Sequence, residues 1–249
     1  MEYPQHLHRE HQDLPLCPEH MIPPGSKCKK LLTTLYDKEK YVIHYRMLQL
    51  VLGLGLKLKV IHIVLKFNQK AWLAPYVEYN TLMRTKATNE FEKNFYKLMV
   101  NAVFGKTMED KRKRTIVRLK THWSSRYGAE ALIASPQFHS RSIFAENLVA
   151  IQLANTKIVM NKPIYVGFCV LELSKVHMYS FHYLCMRKWA SNRCKLMYTD
   201  TDSLIYEFRG VNPYDIMKKH PHWFDTFDSS EDNAYGLSLI HISEPTRPY

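Results

Sequence analysis

The distribution of apolar and polar positions predicts three helical stretches. The side chains of 41–54 favour a helix, and helix formers such as Glu, Lys, Leu and Met dominate residues 76–108. A break is expected near 85–88. Pro163 suits the first turn of a third helix, which is expected to run through Tyr183.

Strands are predicted elsewhere. Residues 57–67 alternate in part between apolar and polar side chains, as a half-buried strand does, and residues 143–160 favour strands around a loop. Residues 195–208 predict a strand, an acidic turn and a second strand. Residues 1–30, rich in His, Pro and Glu, favour a loop, and residues 214–227 favour a short amphipathic or irregular tail.

The acidic turn is the most informative part of the sequence. It reads Tyr198-Thr-Asp200-Thr-Asp202-Ser203, so that one hydroxyl residue separates two carboxylates. A hairpin tip of this kind can hold two acidic side chains next to a divalent metal ion. Because Asp and Thr are common turn formers, an ordinary acidic turn is the alternative.

A basic helix face is predicted before the acidic turn. Lys93, Lys97 and Asn101 recur at every fourth position, and Gly105 can end the helix or admit another backbone. Such lysines can grip nucleotide phosphates, although a solvated face is the simpler interpretation. The residues expected to supply the buried remainder are Phe91, Phe95, Leu98 and Ala102.

Composition points to a polyanionic partner. The 249 residues include 35 Lys and Arg against 23 Asp and Glu, and the resulting net charge of +12 favours nucleic acid. Lys111, Arg112, Lys113 and Arg114 form the densest basic cluster, which binds a nucleic-acid backbone or is only a solvated charge run.

Two other classes of site or location receive little support. Charged residues interrupt the apolar run 47–67, so no membrane-spanning segment is expected. Five scattered cysteines without C-x-x-C, and the lack of a secretory leader, favour a reduced intracellular compartment. The spacing of the N-terminal histidines and cysteines fits no common zinc pattern, and a surface loop is preferred there. These residues are His6, His8, His11, Cys17, His20 and Cys28.

Two motifs resemble those of family B DNA polymerases. Lys97-Leu-Met-Val-Asn101-Ala102-Val-Phe104-Gly105 resembles the fingers motif K-x-x-x-N-S-x-Y-G, and the acidic turn resembles the metal-binding motif Y-x-D-T-D-S. They occur in the order that this family uses. The longer strings FEKNFYKLMVNAVFGKTMEDKRKR and NKPIYVGFCVLELSKVHMYSFHY are similar to the protein-primed branch, especially polymerases of Polinton (Maverick) elements and related viruses. The resemblance covers nearly everything from Glu2 to about Tyr235.

The resemblance implies an α+β fold, with an antiparallel palm sheet, packed helices and helical fingers. The implied parts are a palm-associated N-terminal insertion region (1–70), fingers (71–110) and a palm with the metal-binding hairpin (111–235). The helix predicted from Pro163 should pack behind that hairpin. The last segment, 236–249, contains LSLIHISEPTR, which looks like a translated sequencing adapter and is set aside as an artefact.

The resemblance also implies template-directed DNA synthesis with two Mg²⁺ ions, a dNTP substrate, and DNA template and primer as partners. Asp202 would be the metal ligand and Asp200 a supporting carboxylate. Lys93 and Lys97 would contact the triphosphate, with Arg84 or Lys86 within reach. Asn101, Phe104 and Gly105 would line the nucleotide pocket. A terminal priming protein is a further implied partner, and the location would be the nucleus for a Polinton-type element, otherwise viral or organellar.

The chain departs from the family pattern at several points. Ala102 replaces Ser and loses a hydrogen-bonding group, Phe104 replaces Tyr but keeps its ring, and Thr199 replaces the frequent Gly. The motif D-x-x-S-L-Y-P, which carries the other metal aspartate, is not found. We therefore expect an internal palm–fingers fragment, without exonuclease domain or thumb, that has little activity alone and exposes apolar patches.

Two other functions compete with this interpretation. Asp200-Thr-Asp202 also fits the short D-x-D motif of nucleotide-sugar glycosyltransferases, although the loop-rich N-terminus does not suggest their nucleotide-binding fold. The chain can also be a degenerate mobile-element remnant that at most binds nucleic acid through its charge. Salt-sensitive DNA binding without a response to nucleotide would favour the remnant.

Overall fold

The structure is a computed structural model that describes residues 1–200, 202–226, 233 and 235–237. Most of the predicted artefact tail, 236–249, lies outside these residues. Backbone contacts divide the chain into two units, one combining Met1–Phe67 with Leu171–Tyr249 and the other formed by Asn68–Val170. Residues 111–170 therefore group with the predicted fingers segment, and each unit is described by itself.

Helices and small antiparallel sheets alternate along the chain, which confirms the α+β class. The helices are α1 (His8–His11), α2 (Tyr45–Gly53), α3 (Ala74–Lys86), α4 (Glu90–Thr107), α5 (Ala129–Ile133), α6 (Ile164–Ser180), α7 (Arg187–Ala190) and α8 (Pro213–Lys219). The strands are β1 (Glu19–Met21), β2 (Lys30–Leu32), β3 (Ile116–Lys120), β4 (Phe138–Ala145), β5 (Leu148–Leu153), β6 (Cys194–Asp200) and β7 (Ser203–Phe208).

Much of residues 1–30 is irregular, as predicted, but the segment contributes to a buried core and is not only a surface loop. Leu7, Leu14 and Leu16 are buried together with Met47 and Val51 of α2. The sequence also forms α1 and the antiparallel pair β1–β2. The composition of this segment is hydrophilic, but its few apolar side chains still gain free energy when they are buried.

The helix α6 packs against the β6–β7 hairpin, as predicted. Tyr179 belongs to the same buried cluster as Leu196 of β6, with Leu204 and Tyr206 of β7 packed against it. Nδ1 of His182, in the π-helical turn after α6, is hydrogen-bonded to the Tyr206 hydroxyl at 3.0 Å. The hairpin therefore packs against α6 and the turn that follows it.

The second unit begins with a helical hairpin. The helices α3 and α4 are separated at 87–89, where the break was predicted, and the Asn89 side chain caps α4 by accepting a hydrogen bond from the Glu92 N–H at 2.8 Å. The Tyr76 hydroxyl donates to the Met99 carbonyl at 3.1 Å and joins the two helices.

A three-stranded antiparallel sheet, in the order β3-β5-β4, completes the second unit. Val149, Ile151 and Leu153 alternate along β5 and are buried with Ala129 of α5. The predicted strands in 143–160 are thus present to residue 153.

The strand predicted for 57–67 is not formed. Lys57 makes a single antiparallel bridge to Glu2, and no named strand includes the residues after it. In the described part of the chain, no strand pairs with the backbone of residues 58–67. These residues therefore do not form a strand, although their side chains alternate. Their apolar side chains stay in solvent, Ile63 being 82% exposed, which agrees with the expectation of exposed apolar patches.

Candidate functional site

The acidic turn sits at the tip of the β6–β7 hairpin, where the sequence predicted it. Strand pairing brings Asp200 opposite Ser203 and Thr199 opposite Leu204. A register shift between Leu196 and Tyr198 marks a bulge in β6 close to the turn. The strands therefore end at the carboxylates, with the bulge adjusting the twist just before them.

Backbone hydrogen bonds close the turn around one carbonyl. The backbone carbonyl of Asp200 accepts from the Asp202 N–H at 2.5 Å and from the Ser203 hydroxyl at 3.1 Å. Both aspartates are exposed to solvent. The turn thus presents two carboxylates to solvent on a backbone that these hydrogen bonds hold closed.

The chemistry of these donors fits Mg²⁺ in part. Carboxylate oxygens are the hard ligands that Mg²⁺ prefers, and this ion uses few protein ligands because it retains water and binds substrate phosphates. Within the described residues, no group of three or more His, Cys, Asp or Glu side chains is placed to hold a metal ion. Asp200 and Asp202 thus place two carboxylate side chains on one turn.

The candidate nucleotide-binding residues share one face of α4. At about 100° per residue, Lys93, Lys97, Asn101 and Phe104 fall within an arc of about 80°. The first three are exposed, and Phe104 is half-buried. A strip of two ammonium groups, one amide and one ring thus runs along the helix.

The antiparallel packing of α3 on α4 brings Arg84 to the same end as Lys93. The hydrogen bond from Tyr76 to the Met99 carbonyl aligns the two helices. In this alignment Arg84 of α3 lies beside a position of α4 that is about two residues, or about 3 Å along the helix axis, before Lys93. Arg84 is exposed in the last turn of α3. The expected grouping of Arg84 with the first lysine agrees with this alignment.

Two expectations for α4 are wrong. The side chains predicted to be buried are exposed, Phe91 by 78%, Leu98 by 63% and Phe95 by 46%, because no described element covers that part of the helix. Ala102 is exposed as well. Gly105 neither ends the helix nor admits a backbone, since α4 continues to Thr107 and a Cβ at Gly105 would have no atom within 4 Å.

The close approach predicted for Gly105 occurs instead at Gly167 of α6. A Cβ there would lie 2.6 Å from Oγ1 of Thr107 and 2.5 Å from Sδ of Met108. The last turn of α4 therefore packs directly on the α6 backbone. The sequence carried no signal for this contact beyond a glycine inside an apolar helix.

Two of the four predicted DNA-binding cations have partners within the chain. Nζ of Lys111 donates to the Val159 carbonyl at 3.1 Å and to the Asn161 side chain. Arg114 pairs with Glu109 at 2.6 Å. Arg112 and Lys113 are exposed and make no side-chain ion pair within the described residues. The cluster is thus partly structural, and Arg112 and Lys113 are its outward-facing members.

Glu109 is an ion-pair centre that the sequence analysis missed. A hydrogen bond from Arg114, and then the nearby ammonium groups of Lys106 and Lys162, lower the pKa of its carboxyl to about 2. These contacts connect the end of α4 to the segments on either side of it. Lys162 is far from Lys106 and Arg114 in the sequence. The sequence alone therefore does not indicate that these three side chains contact the same carboxylate.

Of the N-terminal histidines and cysteines, His11 and Cys17 are buried in the core, whereas His6, His20 and Cys28 are exposed. Nδ1 of His11 is hydrogen-bonded to the Tyr3 hydroxyl at 2.8 Å, and that hydroxyl also accepts from the Leu16 N–H at 3.3 Å. Burial lowers the pKa of His11 to about 4 and raises that of Cys17 to about 12. A neutral imidazole and a protonated thiol are suited to packing in this core.

The chain matches no protein-family model, no curated protein and no solved structure. Among the described residues, no helix has both the length and the apolar character needed to cross a bilayer. Any assignment of function therefore depends on the arrangement of side chains and on the sequence motifs.

Proposed function

We propose that this chain supplies the fingers and the metal-binding hairpin of the palm in a family B DNA polymerase of the protein-primed type. The observation that carries the proposal is the antiparallel hairpin whose turn presents Asp200 and Asp202, supported from behind by α6. The exposed strip on α4 is the second support. The proposed activity is template-directed DNA synthesis, with DNA template and primer as partners.

The acidic turn would provide the carboxylates for the metal. Asp202 is the proposed ligand, and Asp200 supports it from the start of the same turn. Mg²⁺ bound there would lower the pKa of a primer hydroxyl and stabilise charge at the reacting phosphorus. The closed backbone of the turn limits how far the two carboxylates can separate, which keeps the site ready for binding.

The strip on α4 would bind the incoming dNTP. Lys93 and Lys97 offer point charges to the triphosphate, with Arg84 at the same end of the helical hairpin. Phe104 retains an aromatic ring for stacking on the nucleotide. Asn101, between the lysines and the ring, offers an amide for hydrogen bonding.

The proposed site is incomplete in these 249 residues. Two-metal catalysis uses a pair of ions, and the family that the chain resembles holds them with aspartates on neighbouring palm strands. No second aspartate motif of that family occurs in this sequence. We propose that this chain alone has little polymerase activity, and that a terminal protein supplies the priming hydroxyl. Robust primer extension by the purified chain alone would contradict this.

The experiment for the α4 strip is binding of a fluorescent dNTP in Mg²⁺. Replacing Lys93 and Lys97 by Gln should weaken binding by about tenfold for each lysine that bonds to a phosphate. A matched control is Lys70→Gln combined with Lys120→Gln, which removes the same charge from positions in the same unit but away from α4. Equal weakening by both pairs would show that only net charge matters, and would contradict the proposed strip.

A nucleic-acid-binding remnant without polymerase chemistry is the second candidate. The net charge of +12 and the outward-facing Arg112 and Lys113 favour it. It predicts salt-sensitive DNA binding that dNTP and Mg²⁺ leave unchanged. A nuclear location is proposed only with the Polinton-type polymerase, otherwise a viral or organellar one.

A further inference from the structure

A cavity of about 550 Å³ lies at the base of the β6–β7 hairpin, at the opposite end from the acidic turn. Arg193, just before β6, and Gly210, after β7, form part of its wall. The length of β6, at about 3.3 Å per residue, separates it from Asp200 by roughly 20 Å. The cavity is therefore distinct from the proposed metal site.

The charged side chains of the cavity wall are mostly cationic. Lys188, Arg193 and Lys219 line it and are exposed, and Asp215 is the acidic residue among those lining it. None of the three cations forms an ion pair within the described part of the chain. Three cations grouped around a concave surface are suited to binding an anion.

An aromatic platform forms another part of the wall. The rings of Trp189 and His220 are stacked, with centroids 3.9 Å apart and planes 4° apart. Trp223 meets Trp189 edge-on at 6.1 Å. Trp189 also packs against the buried cluster that contains Met186 and Ile216, which holds its ring in place. A fixed, flat surface beside cations can stack a nucleobase.

We propose that this cavity binds a phosphate that carries an aromatic base. The phosphate would lie against Lys188, Arg193 and Lys219, and the base against the Trp189–His220 pair. The cavity volume falls in the range of about 300–1,000 Å³ that small-ligand sites occupy. The ligand is either a free nucleotide or one nucleotide of a single strand, since both present the same chemistry.

This site goes beyond the proposed polymerase function because it needs neither a metal ion nor Asp202. Binding is therefore measured with EDTA present. Under these conditions the variant Asp200→Asn/Asp202→Asn should bind as the wild type does. Binding in EDTA therefore tests the cavity proposal alone, and its outcome does not depend on whether the acidic turn binds a metal ion.

The first test measures anisotropy of a labelled oligothymidylate with the full chain. The variant Lys188→Gln/Arg193→Gln/Lys219→Gln should bind at least about tenfold more weakly. The control Lys27→Gln/Lys195→Gln/Lys218→Gln removes the same charge from exposed positions that do not line the cavity, Lys218 being next to Lys219 on α8. It should lose much less affinity. Equal losses would show diffuse charge attraction and overturn the proposal.

The second test separates the base from the phosphate. His220→Ala should weaken binding of the oligonucleotide several-fold, whereas His222→Ala, whose ring does not line the cavity, should not. Inorganic phosphate should compete poorly. If phosphate and thymidine monophosphate both displace the oligonucleotide and do so equally well, or if both histidine variants bind as the wild type does, base recognition is refuted.

Competition by thymidine monophosphate identifies the source of the ligand. Displacement of the oligonucleotide by the free nucleotide supports a mononucleotide site. Absence of displacement, together with a selective loss of affinity in the cavity variant, supports a site that follows a single strand.

Discussion

The backbone N–H of Asp202 donates a hydrogen bond to the backbone carbonyl of Asp200 at a distance of 2.5 Å. A hydrogen bond between main-chain atoms thus links the two aspartates. The Ser203 hydroxyl donates to the same carbonyl. Replacing either carboxylate by its amide leaves these bonds in place. Substitution of the aspartates by asparagine is therefore expected to remove the carboxylates and to keep the conformation of the hairpin.

The contact beneath Gly167 predicts opposite effects for two glycine-to-alanine changes. Gly167→Ala should destabilise the chain by about 1–3 kcal/mol, because the added methyl group would overlap Thr107 and Met108. Gly105→Ala should stabilise it by about 0.5–1 kcal/mol, since it lies in a helix with open space around it. Urea denaturation measures both. Equal effects of the same sign would contradict the packing of α4 on α6.

Buried histidines predict a loss of stability in mild acid. Burial lowers the pKa of both His11 and His182 from 6.5 to about 4. Between these values the unfolded chain binds protons that the folded chain does not, so unfolding becomes easier as the pH falls from 6.5 towards 4. Each histidine contributes on the order of 3 kcal/mol to this change.

The measurement is the free energy of unfolding against pH, for the wild type, His182→Gln and His139→Gln. His182→Gln should flatten the slope between pH 6.5 and 4. His139 is exposed, and its replacement should leave the slope unchanged. A slope in His182→Gln as steep as that of the wild type would show that His182 does not titrate in this way.

The basic cluster predicts a split between its members. Arg112→Gln/Lys113→Gln should weaken DNA binding and lower the slope of log affinity against log salt by about 1 for each side chain that neutralises a phosphate. Lys111→Gln/Arg114→Gln should mainly lower the melting temperature, because those side chains bond to Val159 and Glu109. Identical salt slopes for the two pairs would contradict this division.

The sequence predicted the elements that depend on local signals. The break between α3 and α4, the start of α6 near Pro163 and the acidic hairpin all follow from turn formers, caps and periodicity. The shared face of Lys93, Lys97 and Asn101 follows from helical geometry alone.

Features that depend on a distant partner were not predictable. Residues 57–67 have the pattern of a strand but, among the described residues, lack a pairing strand beyond Lys57, and the N-terminal residues acquire a core only through α2 and α6. The exposure of Phe91 and the ion pair between Lys162 and Glu109 likewise depend on which segments meet. The local sequence pattern carries no information about which distant segments meet.

The most direct test of the polymerase proposal is binding of Mn²⁺, as a paramagnetic substitute for Mg²⁺, to the full chain in the presence of a dNTP. Electron paramagnetic resonance measures the free ion. Asp202→Asn should weaken Mn²⁺ binding by about tenfold or more, since it removes a charged ligand. Glu146→Gln, which removes an exposed carboxylate from the turn between β4 and β5, is the matched control and should bind as the wild type does. If Asp202→Asn and Glu146→Gln bind Mn²⁺ equally well, the acidic turn is not a metal site and the proposal is wrong.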